Sequence, residues 1–143
     1  MAGDKKLLII DSKASRRDTL ASRFRLQGFY VELSNSGFHS LSQIEKYDFD
    51  SVVIQGNLFD MSAIELIGLM RGVFRKDELQ IIYVDKKASQ EEILELYKLG
   101  INEFIVYSEK IFGSLLDKIE PFKPRKDRSP RSIMNPEPED STQ

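Results

Sequence analysis

Polar residues stand at the ends of four short apolar runs in this sequence. They are Asp11, Gln55, Asp85 and Tyr107. Two carboxylates such as Asp11 and Asp85 can hold a divalent cation weakly between them or take part in a hydrogen-bonded network. An amide and a phenol exchange hydrogen bonds, but neither is a nucleophile near neutral pH. Because no set of nucleophile, base and orienting group appears at these ends, the residues favour a binding site over an enzyme.

The apolar runs have the length and composition of buried strands. They predict five strands, which cover residues 7–10, 30–33, 51–54, 80–84 and 104–106. The first run is continuously apolar rather than alternating, which is typical of a strand that is covered on both faces.

Apolar residues at helical spacing separate these strands. Helices are predicted over residues 14–27, 37–46 and 110–120, and two more begin at the capping boxes of Ser62 with Glu65 and of Ser89 with Glu92. Gly100 is placed to end the fourth helix. In the second and third helices, the side chains expected to face inward are Phe38, Leu41, Ile44, Ile64, Ile67 and Met70.

The order of these elements predicts the fold class. Five strands alternate with five helices, and right-handed crossovers then produce an α/β fold, a doubly wound parallel sheet with helices on both faces. Ligands of such sheets lie outside the carboxyl ends of the strands, at the switch point. The polar residues that follow the first, third, fourth and fifth strands are therefore expected to meet at one edge.

The composition fits one domain, predicted at residues 1–120, and a tail. Residues 121–143 contain all five prolines, a basic stretch and an acidic stretch, which predict a flexible linker. The chain has no cysteine, and His39 is its one histidine, which excludes disulfides and Cys- or His-rich metal sites. The net charge of −2 argues against nucleic-acid binding. No apolar run is long enough for a membrane span, so a cytoplasmic protein is expected.

Several segments together resemble the receiver domain of the response regulators, the CheY-like family. The resemblance covers about residues 5–120 and depends on residues 8–11, 50–54 with 60–66, 81–84 and 100–106, in this order and at these separations. It implies the flavodoxin-like strand order 2-1-3-4-5 with five helices. In this family an acidic pair follows the first strand, a phosphate-accepting aspartate the third, and a Ser or Thr the fourth, while a lysine lies in the fifth.

The resemblance places other residue types at most of these working positions. The acidic pair falls on Asp11 and Ser12, the phosphate acceptor on Gln55, the hydroxyl residue on Asp85 and the lysine on Tyr107. Only Asp11 keeps its type. A neutral amide cannot form an acyl phosphate, and the loss of two carboxylates removes most of a magnesium site. No metal or other cofactor is therefore expected.

The resemblance also assigns a rim, consisting of Lys13, Phe59 and Lys86, and an aromatic switch position, Phe104. Phe104 is expected to pack inward. We expect Gln55 and Tyr107 to donate hydrogen bonds to Asp11 or Asp85, with Lys13 or Lys86 balancing the charge. Such a network would hold one conformation without metal or phosphate.

The resulting hypothesis is a degenerate receiver, or pseudo-receiver, that works through protein contacts in a signalling, motility or polarity assembly. Receivers use the fourth helix, fifth strand and fifth helix for partners and homodimers, which makes Tyr97, Ile111 and Phe112 candidates for an interaction face. Two alternatives stay open. One is residual phosphorylation on Asp11 or Asp60, and the other is a small ligand at the carboxyl ends of the strands, although no glycine-rich loop follows any strand.

Overall fold

The computed structural model describes residues 5–125 of the chain, and they form one five-stranded parallel sheet with five helices. The sheet order is β2-β1-β3-β4-β5, as predicted. The element bounds are β1 Lys6–Asp11, α1 Ala14–Leu26, β2 Tyr30–Ser34, α2 Gly37–Lys46, β3 Ser51–Gln55, α3 Ala63–Arg71, β4 Gln80–Asp85, α4 Gln90–Leu99, β5 Glu103–Val106 and α5 Ile111–Ile119.

Each of three strands extends one residue beyond its apolar run. Asp11, Gln55 and Asp85 are the last residues of β1, β3 and β4, and their backbones still belong to the sheet. Asp11 and Gln55 pair directly in the parallel register of β1 and β3. The sheet itself therefore fixes the spacing of these polar side chains, because neighbouring strands lie roughly 4.8 Å apart.

Two apolar cores lie on opposite faces of the sheet. In β1, Leu8 and Ile10 contact the core under α2, α3 and α4, whereas Leu7 and Ile9 contact the core under α1 and α5. This alternation confirms that β1 is buried on both faces, because successive side chains of a strand point to opposite sides.

Local signals set the helix ends as predicted. Ser62 and Ser89 each accept a hydrogen bond from the third residue of the following helix, and both capping boxes are complete. Gly100 ends α4 with a φ of 126°, and a Cβ there would lie 2.8 Å from the Arg71 side chain. A side chain at this position would therefore be strained and would collide with Arg71.

The prediction that Phe38 and Ile64 face inward is wrong, since each is 56% exposed. Both lie in the first turn of their helices, α2 and α3. Helices in this fold run antiparallel to the strands, so their first turns project past the carboxyl ends of the sheet. The apolar stripe begins one turn later, with Leu41 in α2 and Ile67 in α3, which are fully buried.

The first residues of the predicted tail contact the folded body. The Arg125 backbone donates to the carbonyl of Asp77 at 2.7 Å, and Lys5 donates to the carbonyl of Phe122. The rest of the predicted tail, 126–143, lies outside the described residues. None of the helices between residues 5 and 125 has both the length and the apolarity that crossing a membrane requires.

Candidate functional site

The paired ends of β1 and β3 form the centre of the site. The Asp11 side chain is completely buried, and Gln55 beside it is 3% exposed. Asp85 lies one strand further along, at the end of β4, and is half-buried. A buried carboxylate needs hydrogen bonds or a counter-charge, because transfer of an ion out of water is costly.

Four donors surround the Asp11 carboxylate. Arg16 donates from Nε to Oδ2 at 2.6 Å and from Nη2 to Oδ1 at 2.7 Å. The Gln55 amide donates to Oδ2 at 2.8 Å, and the Lys13 backbone N–H donates to Oδ1 at 2.9 Å. A two-pronged guanidinium contact is among the strongest side-chain interactions in proteins. The carboxylate therefore has both a neutralising cation and a full set of hydrogen bonds from its own chain.

Arg16 was not among the predicted site residues. It lies in the first turn of α1, five residues after Asp11, and a quarter of its side chain is exposed. The hydrogen bond to Asp11 raises the pKa of Arg16, against the opposing effect of partial burial. Arg16 also contacts Tyr107, with 5.7 Å between the guanidinium carbon and the ring centroid. The sequence signal was an arginine in the first turn of the helix that follows a strand-terminal aspartate.

The prediction is therefore confirmed for one hydrogen bond and wrong about the residue that neutralises the Asp11 carboxylate. Gln55 donates to Asp11 as expected. Arg16 rather than Lys13 or Lys86 balances the charge, because its planar fork reaches both carboxylate oxygens, whereas the exposed lysine side chains stay in solvent. Tyr107 contributes its ring to Arg16, and the structure shows no hydrogen bond from its hydroxyl to Asp11 or Asp85 within residues 5–125.

Asp85 belongs to a separate cluster. Its Oδ2 accepts a hydrogen bond from the Tyr83 hydroxyl at 2.8 Å, and its Oδ1 accepts one from the Lys86 backbone at 2.7 Å. Burial, together with this bond, raises the pKa of Tyr83. The Tyr83 ring also packs beside Phe104, with 6.1 Å between ring centroids. Phe104 is half-buried against the core under α2, α3 and α4, consistent with the prediction that it packs inward.

The residues at the strand ends do not fit a magnesium ion. The described part of the chain has no group of three or more acidic or histidine side chains placed to hold a metal. The charge of Asp11 is already neutralised by Arg16, and Gln55 stands where a second carboxylate would be needed. A divalent cation prefers several charged oxygen ligands, and here it would also have to displace a guanidinium.

The rim residues lie around the mouth of this site. Ser12, Lys13 and Lys86 are exposed, and Phe59 is 80% exposed in the loop between β3 and α3. Phe59 therefore belongs to the surface rather than to the pocket floor.

The predicted interaction face is partly wrong. Ile111 and Phe112 are buried, and the Phe112 ring packs edge-on against Phe24 with centroids 4.9 Å apart. They are buried because α5 uses its apolar stripe to cover the sheet beside α1. Tyr97 is 39% exposed, and its hydroxyl accepts a hydrogen bond from the Phe104 backbone at 3.0 Å. Val106, which the sequence analysis missed, is the most exposed apolar residue of β5.

Asp60 has a structural role at the N-terminus of α2. Its two carboxylate oxygens accept the backbone N–H groups of Gly37 and Phe38 at 2.9 and 3.0 Å. Partial burial acts to raise its pKa, but these backbone donors outweigh it, and the pKa of Asp60 is lowered. The loop after β3 is thereby tied to α2, and both oxygens of this second candidate phosphorylation site are occupied.

We expect Asp60→Ala to lower the free energy of unfolding by about 1 kcal/mol at pH 7, the usual effect of losing a helix cap. The folded-state pKa lies below the ordinary value of 3.8, so the stabilisation is present above that value and is lost as pH falls through the folded-state pKa. Urea unfolding at neutral and acidic pH measures both effects. Asp18→Ala, which removes an exposed ion pair, is the control and should change little. An equal loss in both variants contradicts the cap.

Comparisons with known proteins agree with this architecture. No family model matches the chain. The chain is 29% identical over 117 residues to the chemotaxis protein CheY-3 of Vibrio cholerae serotype O1, which covers 80% of this chain and 90% of that protein.

Solved structures are similar over the same region. The crystal structure of a CheY-like response regulator receiver domain protein from Methanospirillum hungatei matches with a TM-score of 0.73 and 25% identity, over 81% of this chain and 90% of that one. The non-phosphorylated HemR receiver domain from Leptospira biflexa shares the fold, with a TM-score of 0.74 and 20% identity over 85% and 98% of the two chains. The chain is thus similar in sequence and in fold to CheY-like response-regulator receiver proteins.

Proposed function

We propose that this chain is a pseudo-receiver, a signalling adaptor that acts by protein–protein contact without phosphoryl transfer or magnesium binding. Residues 1–120 are the proposed domain and 121–143 the linker or tail, in a cytoplasmic protein. The observation that carries the proposal is the two-pronged contact of Arg16 with the buried Asp11. The chain's own guanidinium occupies the carboxylate that a divalent cation would need.

The residue types at the strand ends support the same conclusion. Gln55 has no carboxylate to attack a phosphoryl donor, so it cannot form an acyl phosphate. Asp85 is anionic where an incoming phosphoryl oxygen would need a donor, and its oxygens are held by Tyr83 and the Lys86 backbone. Repulsion replaces attraction at this position. The signalling conformation of such a domain depends on binding a partner rather than on modification.

Residual phosphorylation of another aspartate is disfavoured by geometry. Asp11 is fully buried and has four donors, including a bound guanidinium. Asp60 uses both oxygens to cap α2. Phosphorylation of either would first require breaking charge-assisted hydrogen bonds, which are about twice as strong as neutral ones.

The proposed contact face consists of α4 and β5, where Tyr97 and Val106 are exposed. Receiver domains act through protein partners, and the CheY-3 relative is a chemotaxis protein. The proposed partner is therefore a protein of a signalling, motility or polarity assembly, or a second copy of this chain. Ile111 and Phe112 are not part of this face, because they are buried in the core under α1 and α5.

An amide NMR titration with magnesium and then beryllofluoride, a phosphoryl mimic, tests the proposal. We expect the resonances of Gln55, Asp85 and Phe104 to stay in place, because Arg16 and Asp85 leave no site for the cation or the mimic. Saturable shifts that spread over α4 and β5 would show a working switch and contradict the proposal.

The Gln55→Asp variant sharpens this test. It restores the nucleophile alone, and we expect no acyl phosphate on intact-mass analysis after incubation with acetyl phosphate, because Arg16 still occupies Asp11. The wild-type chain, treated in the same way, is the matched control. An added phosphoryl mass in the variant that depends on magnesium overturns the claim that the rest of the site is lost.

A further inference from the structure

A basic cleft opens beside the Asp11–Gln55 pair, between α1 and the connection from β5 to α5. Its volume is about 390 Å³, within the range of small-molecule sites. Gln55 is among the residues that line it. The cationic side chains around it are Lys13, Arg16, Arg23 and Lys86.

The positive charges that line this cleft outnumber the negative ones. Arg16 is paired with Asp11. Glu109 is the one acidic residue among the described residues that line the cleft, and it faces three further cations, Lys13, Arg23 and Lys86. Within residues 5–125 none of these three makes an ion pair. Cations gathered around a concave surface concentrate the field and attract anions.

The same cleft has an apolar wall. Leu20, Ile111 and Phe112 line it together with the Tyr107 ring. The Arg23 guanidinium lies over the Phe112 ring, 4.2 Å from its centroid, which holds this cation at the wall. A ligand that combines an anionic group with an apolar body would satisfy both parts of the lining.

Gln55 is a buried polar residue in the lining of this cleft. Its side-chain amide donates to Asp11, and its Oε1 is buried without a hydrogen-bond partner among the described residues. Because Gln55 lines the cleft, we expect its side-chain amide resonances to respond when a ligand occupies the cleft.

We propose that this cleft binds a small organic phosphate that has an aromatic or apolar body. Lys13 and Lys86 at the rim, with Arg23, hold the phosphate, and the wall around Phe112 holds the body. The ligand is bound intact, and no bond is made or broken. The domain would thereby bind a small molecule beside the position at which receivers carry a covalent phosphate.

The proposal is tested by titrating the labelled protein with phenyl phosphate, inorganic phosphate and phenol, followed by amide NMR. We expect saturable shifts in the cleft with phenyl phosphate at millimolar concentrations, including the side-chain amide resonances of Gln55. Inorganic phosphate, which lacks the apolar body, and phenol, which lacks the anionic group, should each bind several-fold more weakly. The absence of saturable shifts with phenyl phosphate, or equal binding of all three compounds, overturns the proposal.

Variants at the rim locate the bound group. Replacing both exposed lysines, Lys13→Ala and Lys86→Ala, should weaken phenyl phosphate binding by about tenfold, because two exposed charge contacts are removed. Lys87→Ala is the matched control. Lys87 is exposed and follows Lys86 in the connection from β4 to α4, but it does not line this cleft. An equal loss of affinity in the control contradicts the assignment of the phosphate to this rim.

Discussion

Arg16→Met should lower the free energy of unfolding by about 3 kcal/mol, because removing one partner of a buried ion pair leaves a buried charge without compensation. Asp11 is completely buried and would keep only Gln55 and the Lys13 backbone as donors. We take the lower end of the usual range because a quarter of the Arg16 side chain is exposed. Guanidinium chloride unfolding, followed by circular dichroism, measures the change.

Two further variants show whether the pair itself is responsible. Arg17→Met removes the neighbouring arginine, which donates to the Asp11 carbonyl and pairs with exposed Asp18, and should cost less than about 1 kcal/mol. Combining Arg16→Met with Asp11→Asn removes both charges, and it should recover at least half of the loss, because a neutral pair avoids the desolvation of an ion. Equal losses in Arg16→Met and Arg17→Met, or no recovery in the double variant, contradict the central role of the pair.

Gln55→Glu should destabilise the protein by about 2–3 kcal/mol at pH 7, because it places a second carboxyl group against the buried carboxylate of Asp11. The amide nitrogen of Gln55 is 2.8 Å from Asp11 Oδ2, so a donor would be exchanged for a like charge. Arg16 compensates only part of this charge, because its fork is already committed to Asp11.

The same variant should show a distinct pH dependence. The nearby carboxylate raises the folded-state pKa of the introduced carboxyl group above its unfolded value. The folded state then binds more protons, so the destabilisation is small below the unfolded pKa and grows as pH rises through the folded pKa. Urea unfolding between acidic and neutral pH measures this trend. Gln90→Glu, an exposed change in the first turn of α4, is the control and should lack it. A loss that does not vary with pH would point to packing instead of charge.

The strands and helix ends were predictable because their causes are local. Ser62 and Ser89 cap helices through residues three positions away, and Gly100 ends α4 with a φ that favours glycine. The absence of a carboxylate at Gln55 could likewise be read from the sequence, since no fold changes an amide into a nucleophile. These features need little information beyond a few neighbouring residues.

The burial of helix residues was predicted less well where it depends on which neighbouring elements cover the helix. Phe38 and Ile64 fit an apolar stripe but lie in first turns that pass the edge of the sheet, where nothing covers them. Ile111 and Phe112 are buried because α1 lies alongside α5 and closes the second core. Helical spacing fixes which residues share a face, but only the packing of neighbouring elements fixes how much of that face is covered.

The alternation of strands and helices, and the residue types at the strand ends, can be read from the sequence alone. The neutralisation of Asp11 by Arg16 depends on how the helices pack on the sheet. A charged residue in the first turn of a helix is ordinarily solvated, and Lys13 and Arg17 also lie within six residues of Asp11 in sequence. The parallel pairing of β1 with β3 and the packing of α1 on the sheet bring one particular guanidinium into a fork on a buried carboxylate. That contact depends on angles between elements, which no local pattern encodes.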